Sequence, residues 1–143
     1  MKLPDINLIV YAYDSDAPLN EPANEWLAQA LSGTETIALS WAVMVGFIRI
    51  VTNPVIFAEP WGVREVIDEV ESWLEQSCTT IVHPTDRHAA VLRDLLGPLG
   101  AAGNLTSDAH LAALAIEHGA TLCSCDNDFG RFAGLRWEDP LRA

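Results

Sequence analysis

The sequence predicts an α/β domain with a mostly parallel central sheet and helices on both of its faces. Three observations lead there. Short apolar runs of strand length alternate with longer helical patterns along the whole chain, and parallel neighbours suit that alternation because each return needs a crossover. The 143 residues contain no repeat or linker-like stretch, which fits a single domain over 1–143. Acidic residues stand where strands give way to loops, which is where open α/β sheets hold their ligands.

The elements follow in order. Met1 to Pro4 reads as a short strand, and Asp5 comes straight after it. Ile6, Leu8, Ile9 and Val10 either continue that strand or open a short helix after a sharp turn. Asp14 to Leu19 is turn chemistry, and Asn20-Glu21-Pro22 starts an amphipathic helix with Trp26, Leu27 and Leu31 inward, ended by Gly33. Ile37 to Leu39 is the second strand. Ser40 then caps a helix through WAVMVGFIRIVTN, stopped by Asn53-Pro54 because the residue before proline is pushed out of the α region. After a loop with Phe57, Pro60 and Trp61, Gly62-Val63 opens a helix to about Gln76. Its apolar face carries Val66, Ile67, Val70, Trp73 and Leu74, and its other face is acidic. Thr79 to Val82 makes the third strand, and Pro84-Thr85-Asp86 starts a helix that ends in the glycine-rich stretch Gly97 to Gly103. The next helix begins near Thr106 or Ser107 and runs to Gly119, apolar nearly all round and therefore buried. ATLCSC is a core strand that stops at Asp126, Asn127 and Asp128. Phe129 and Phe132 form a helical turn on the core, and Leu135-Arg136-Trp137 is a last strand.

Charge and cysteines narrow the function. Twenty acids against eight bases give a net charge of −12, with an isoelectric point near 4.4, and that argues against a protein coating nucleic acid through a broad basic face. A cation or a basic partner suits it better. Three cysteines and no signal-like amino terminus point to reduced thiols in the cytoplasm, and Cys123 and Cys125 read as small core residues. The apolar run Ile37 to Val51 is too short to cross a bilayer and contains Arg49, so no membrane role is expected.

Four acids carry the chemical reading. Asp5, Asp108, Asp126 and Asp128 each fall at a strand exit or a helix entry, where one crevice can gather them. Carboxylates a few ångström apart raise one another's pKa, so such a cluster favours a cation between them. Oxygen-only ligands suit Mg²⁺ or Mn²⁺, and an ion so held supports hydrolysis of a phosphodiester. Each acid has a plainer explanation: Asp108 complements a helix dipole, and Asp126-Asn127-Asp128 is ordinary turn chemistry. Asp5 sits among apolar residues and needs a partner or an ion. His110, two positions after Asp108, faces elsewhere on the helix, and Trp41 and Trp73 are expected in the core.

In these residues the chain resembles the PIN-domain ribonucleases, and among them the VapC toxins of type II toxin-antitoxin pairs. The carriers are PDINLIVYA with Asp5 and Asn7, SWAVMVGFIRIVTNP, NLTSDAHLAALAIEHGATLCSCDNDFGRF and GLRWEDP, together spanning essentially the whole sequence. The resemblance implies a three-layer α/β/α PIN-like fold and a Mg²⁺- or Mn²⁺-dependent endoribonuclease that hydrolyses RNA. It also implies a homodimer neutralised by a cognate antitoxin. Carried over by position, Asp5, Asp108 and Asp126 match catalytic metal ligands, and Asp128 matches the second acid of the family's [ST]-x-D-x-D-F segment. One departure stands out: many relatives carry a glutamate where this chain has Gly46, which leaves open whether one ion binds or two.

The net acidity suits an antitoxin with a basic segment, while RNA would be drawn locally by the metal and by arginines such as Arg49, Arg87 or Arg131. Arg49 could equally serve a surface role. Two other classes compete. An aspartate-based phosphatase or receiver domain would need a lysine near the phosphate, and Lys2 is the only lysine. A non-cleaving PIN-like RNA- or protein-binding domain fits the glycine at position 46.

Overall fold

The computed structural model describes residues 1–142. Lys2–Pro4 forms β1, and the chain then turns at Asp5, whose extended backbone and side chain start α1 (Ile6–Tyr13) by accepting from Ile6 N at 2.7 Å. That bond settles the choice left open for Ile6 to Val10 in favour of a helix. α2 (Asn20–Ser32) packs on α1 and caps it, because Asn20 Nδ2 and Asn24 Nδ2 donate to the Ala12 carbonyl that α1 leaves unpaired.

β2 (Ile37–Leu39) leads to α3 (Trp41–Val51), where Ser40 Oγ accepts from Val43 N at 3.2 Å, as a serine cap should. α4 (Val63–Leu74), β3 (Thr79–Ile81) and α5 (His88–Leu96) follow. α6 (Leu105–His118) closes on Gly119 in the left-handed region at φ 66°, then come β4 (Thr121–Cys123) and β5 (Trp137–Glu138).

All strand pairings are parallel and the order is β3-β2-β1-β4-β5. The chain therefore winds outward from β1 through β2 to β3, then returns to the other side of β1 with β4. This puts a topological switch between β1 and β4, whose carboxyl ends are level, Pro4 pairing with Cys123. Sequence order alone places Asp5 at one lip of that switch and Ser124 to Asp128 at the other. The fold is α/β as expected, with the sheet parallel throughout. Its core includes Leu3, Leu39, Leu122, Phe129 and an aromatic group in which Phe47 and Trp73 lie 4.9 Å apart.

Several expectations need correction. α6 begins at Leu105, which puts Thr106 and Ser107 inside the first turn instead of at the cap, and Asn104 in the cap position makes no side-chain bond. The last strand is shifted to Trp137–Glu138. Trp73 is buried, but Trp41 is 45% exposed and Ile67 40% exposed. Trp41 and the exposed Val45 are one turn apart and share the outer face of α3, while Val43, Met44 and Phe47 fill the inner one. No helix among the described residues is long and apolar enough to cross a membrane.

Gly46 is buried on α3, and a Cβ there would press on the Ile6 Cδ1 methyl. Ile6 thus occupies the room that a side chain at 46 would need. Gly46→Glu is expected to lower stability by about 1–3 kcal/mol, since it overpacks this contact and buries an acid. Urea denaturation of Gly46→Glu and of Gly46→Glu with Ile6→Ala checks this: the second change should restore part of the loss. Equal midpoints for the two would show that Ile6 is not the obstacle.

Candidate metal centre

The site begins with Ser124, which follows β4 and is fully buried. Its hydroxyl donates to Asp5 Oδ2 at 2.8 Å and its oxygen accepts from Asp126 N at 3.0 Å. One residue therefore ties the end of β1 to the loop after β4. Asp5 N also donates to the Cys123 carbonyl at 2.9 Å, so the Asp5 carboxylate is fixed at its backbone and at both oxygens. Asp126 in turn caps the 3₁₀ turn Asn127–Arg131 by accepting from Asp128 N at 2.9 Å. That turn seats Phe129 in the core and aims Asp128 back toward Asp126.

Asp108 arrives from the first turn of α6. Ligand oxygens of Asp108, Asp126 and Asp128 lie within 4.8 Å of one another, and all three residues are half-buried. Asp5 stands outside that group of three. It is 4% exposed, each of its oxygens accepts one hydrogen bond, and its charge acts on Asp108. Burial, helped by Asp5, Asp126 and Asp128 in that order, pushes Asp108 up from 3.8 to about 6. Asp5 is likewise raised by burial, against the lowering effect of its bonds from Ser124 and Ile6.

Compensation within the chain is slight. Arg131 Nε reaches Asp128 at 3.4 Å from an exposed position, and no other ion pair involves these acids among the described residues. Oxygen donors from three residues, close enough to share one ion, fit a hard divalent cation.

The charge coupling has a sign that can be tested. Asp108 has a folded pKa above its ordinary value, so its contribution to stability is full below about pH 4 and is lost as pH rises through about 6. In the metal-free protein, Asp108→Asn should therefore melt close to wild type near pH 4 and progressively above it toward pH 7. A melting difference that stays constant over that range would contradict the coupling.

His110 turns away from the acids, as its spacing suggested, and meets His88 on α5. Arg49 and Arg87 are exposed and lie outside the group of acids. Lys2 is bound to Glu138 at 2.7 Å, which leaves the phosphatase reading without a free lysine. Cys123 and Cys125 are pushed up to about 12, chiefly by burial, so both remain protonated thiols. Ser124 is the residue that sequence reasoning passed over. Its signal was a hydroxyl inside an apolar strand exit, two positions before Asp126.

Residues 2–135 match the PIN domain. The chain belongs to the PIN-domain family. Among curated relatives, it is 40% identical to Ribonuclease VapC37 of Mycobacterium tuberculosis over 98% of this chain and 97% of the relative. It is 39% identical to Ribonuclease VapC33 of the same species, over 99% of each. Among solved structures, its fold resembles a chain of the VapBC2 complex from Rickettsia felis bound to a DNA fragment from its promoter. That match has a TM-score of 0.65 and 22% identity, and covers 96% of each chain.

Proposed function

We propose that this chain is the toxin of a type II toxin-antitoxin pair, an endoribonuclease that hydrolyses RNA phosphodiester bonds with Mg²⁺ or Mn²⁺ at Asp108, Asp126 and Asp128. The observation that carries this reading is the meeting of those three carboxylates at the β1/β4 switch point, in a chain 40% identical to a named VapC ribonuclease. When bound, a hard divalent ion would supply Lewis-acid chemistry, lowering the pKa of a water and offsetting charge on the phosphate.

The chain's own part is to build the cradle. Asp108 and Asp126 offer oxygens from different elements, a helix start and a strand exit, so the cradle needs the whole fold. Asp128 completes the group while Arg131, exposed beside it, is placed to meet a phosphate once Asp128 turns to the ion. Asp5 adds charge and fixes Ser124 and with it the Asp126 backbone. Asp5, Asp108 and Asp126 are the catalytic set in this reading, and residues 1–143 act as one domain.

The partners follow the charge. A net charge of −12 favours an antitoxin that lays a basic segment over the acidic site, speeding association by electrostatic steering. The working form in this reading is a cytoplasmic homodimer. Gly46 keeps a second reading in view, a PIN-like domain that binds RNA without cutting, since no acid extends from that position.

Incubation of RNA with purified chain freed of any basic partner separates the two. Cleavage is expected with Mg²⁺ or Mn²⁺, and should stop with EDTA and return when the metal is restored. Binding without cleavage under every metal condition would favour the second reading.

A further inference from the structure

A second group of ligating side chains lies between α5 and α6, away from the acids. Glu117 near the end of α6 accepts from Thr85 N at 2.9 Å, from the Thr85 hydroxyl, and from His88 Nδ1 at 2.5 Å. α5 has no side-chain cap bond, and this carboxylate instead ties the turn before it, at Thr85, and its first side chain, His88, to α6. The Glu117 side chain is 0% exposed and that of His88 is 13% exposed, so the contact is withdrawn from water.

The arrangement also fixes a tautomer. Neutral His88 carries its proton on Nδ1 against Glu117 and so offers Nε2 as a lone pair, and that atom stands 2.9 Å from His110 Nδ1. The two rings meet nearly edge to face, with centroids 4.9 Å apart and planes at 74°. Two imidazole nitrogens on a tetrahedral Zn²⁺, each about 2.0–2.1 Å from the ion, lie about 3.3 Å apart. A small tilt of either ring reaches that spacing. A carboxylate holding the far nitrogen of a ligating histidine is the arrangement that orients such ligands toward a metal.

We propose that His88 and His110 form an interhelical site for Zn²⁺ or a similar imidazole-seeking ion, with Glu117 and Thr85 orienting His88 from behind. Binding replaces the proton shared by His88 Nε2 and His110 Nδ1, and water completes the coordination. The site selects against Mg²⁺ because its donors are nitrogens, whereas the aspartates select for it. It clips the start of α5 to α6, the helix that also carries Asp108.

Calorimetric titration of Zn²⁺ into the whole chain, held in excess Mg²⁺ to occupy the aspartates, tests this. One Zn²⁺ per chain is expected, with affinity falling at least tenfold in both His88→Gln and His110→Gln and unchanged in Asp108→Asn. If His88→Gln does not fold, His110→Gln together with the absorption spectrum of Co²⁺ in the wild type decides, since nitrogen ligation intensifies the visible bands. Zinc binding that survives both histidine changes, zinc binding lost in Asp108→Asn, or no binding at all would each overturn the proposal.

Discussion

Asp108→Asn is expected to reduce RNA cleavage by about a thousandfold or more, which corresponds to about 4 kcal/mol of transition-state stabilisation. The substitution keeps size and shape, so the half-buried start of α6 should fold as before. What it removes is one of three carboxylates whose oxygens lie within 4.8 Å. Two effects then run in opposite directions. Without metal the variant should be more stable than wild type near neutral pH, because Asp108, pushed up to about 6 by burial and by its acidic neighbours, is the group that repulsion strains most visibly. With Mn²⁺ the order should reverse, since wild type gains binding energy that the variant has lost. Cleavage assays and melting curves with and without Mn²⁺ give both readouts from one preparation. A variant that cuts as fast as wild type would remove Asp108 from the site.

Asp5 should separate structure from charge. Asp5→Ala removes the acceptor for Ile6 N at 2.7 Å and leaves the buried Ser124 hydroxyl without its partner at 2.8 Å. Losing a helix cap costs about 1 kcal/mol and orphaning a buried polar group about 1–3 more, so a loss of about 2–4 kcal/mol is expected. Asp5→Asn keeps an oxygen for Ile6 N, while its amide faces Ser124 Oγ, whose proton must then rotate away. That variant should keep most of the stability but lose about a hundredfold in cleavage, because the charge behind Asp108 is gone and Ser124 no longer holds Asp126 in the same way. Denaturation midpoints set beside cleavage rates tell the two apart. Full activity in Asp5→Asn would reduce Asp5 to a structural cap.

Much of this arrangement was legible in the sequence because strand exits announce themselves. An acid directly after an apolar run, as at Asp5 and Asp126, marks a corner whatever the tertiary fold, and the β-helix alternation implied that such corners share one edge of a parallel sheet. What escaped was settled by tertiary contacts. Trp41 and Val43 are equally apolar, and only the packing of α3 decides that Trp41 faces outward and Val43 inward. α6 starts at Leu105 without a side-chain cap bond, which the favourable caps at Thr106 and Ser107 concealed. The bond from Thr85 N to Glu117 joins residues 32 apart, and no local pattern encodes it.

The position of Asp5 teaches the same lesson at the site itself. Its burial was foreseeable from the apolar residues around it, and its need for a partner followed from that burial. The partner turned out to be a serine and a backbone amide, both within the chain. Asp128, read as turn chemistry or as the second acid of the motif, stands among the three that converge, because the 3₁₀ turn at Asn127–Arg131 folds it back beside Asp126. The direction of a carboxylate in a turn depends on backbone angles that residue types alone do not fix.

The central claim is that acids from α6 and from the loop after β4 hold one hard ion in common. Anomalous diffraction from crystals grown with Mn²⁺ tests it most directly. The expected result is a manganese peak bonded to oxygens of Asp108, Asp126 and Asp128, absent in crystals of Asp108→Asn. Manganese bound elsewhere on the chain, or at this place with Asp108 turned away from it, would contradict the claim.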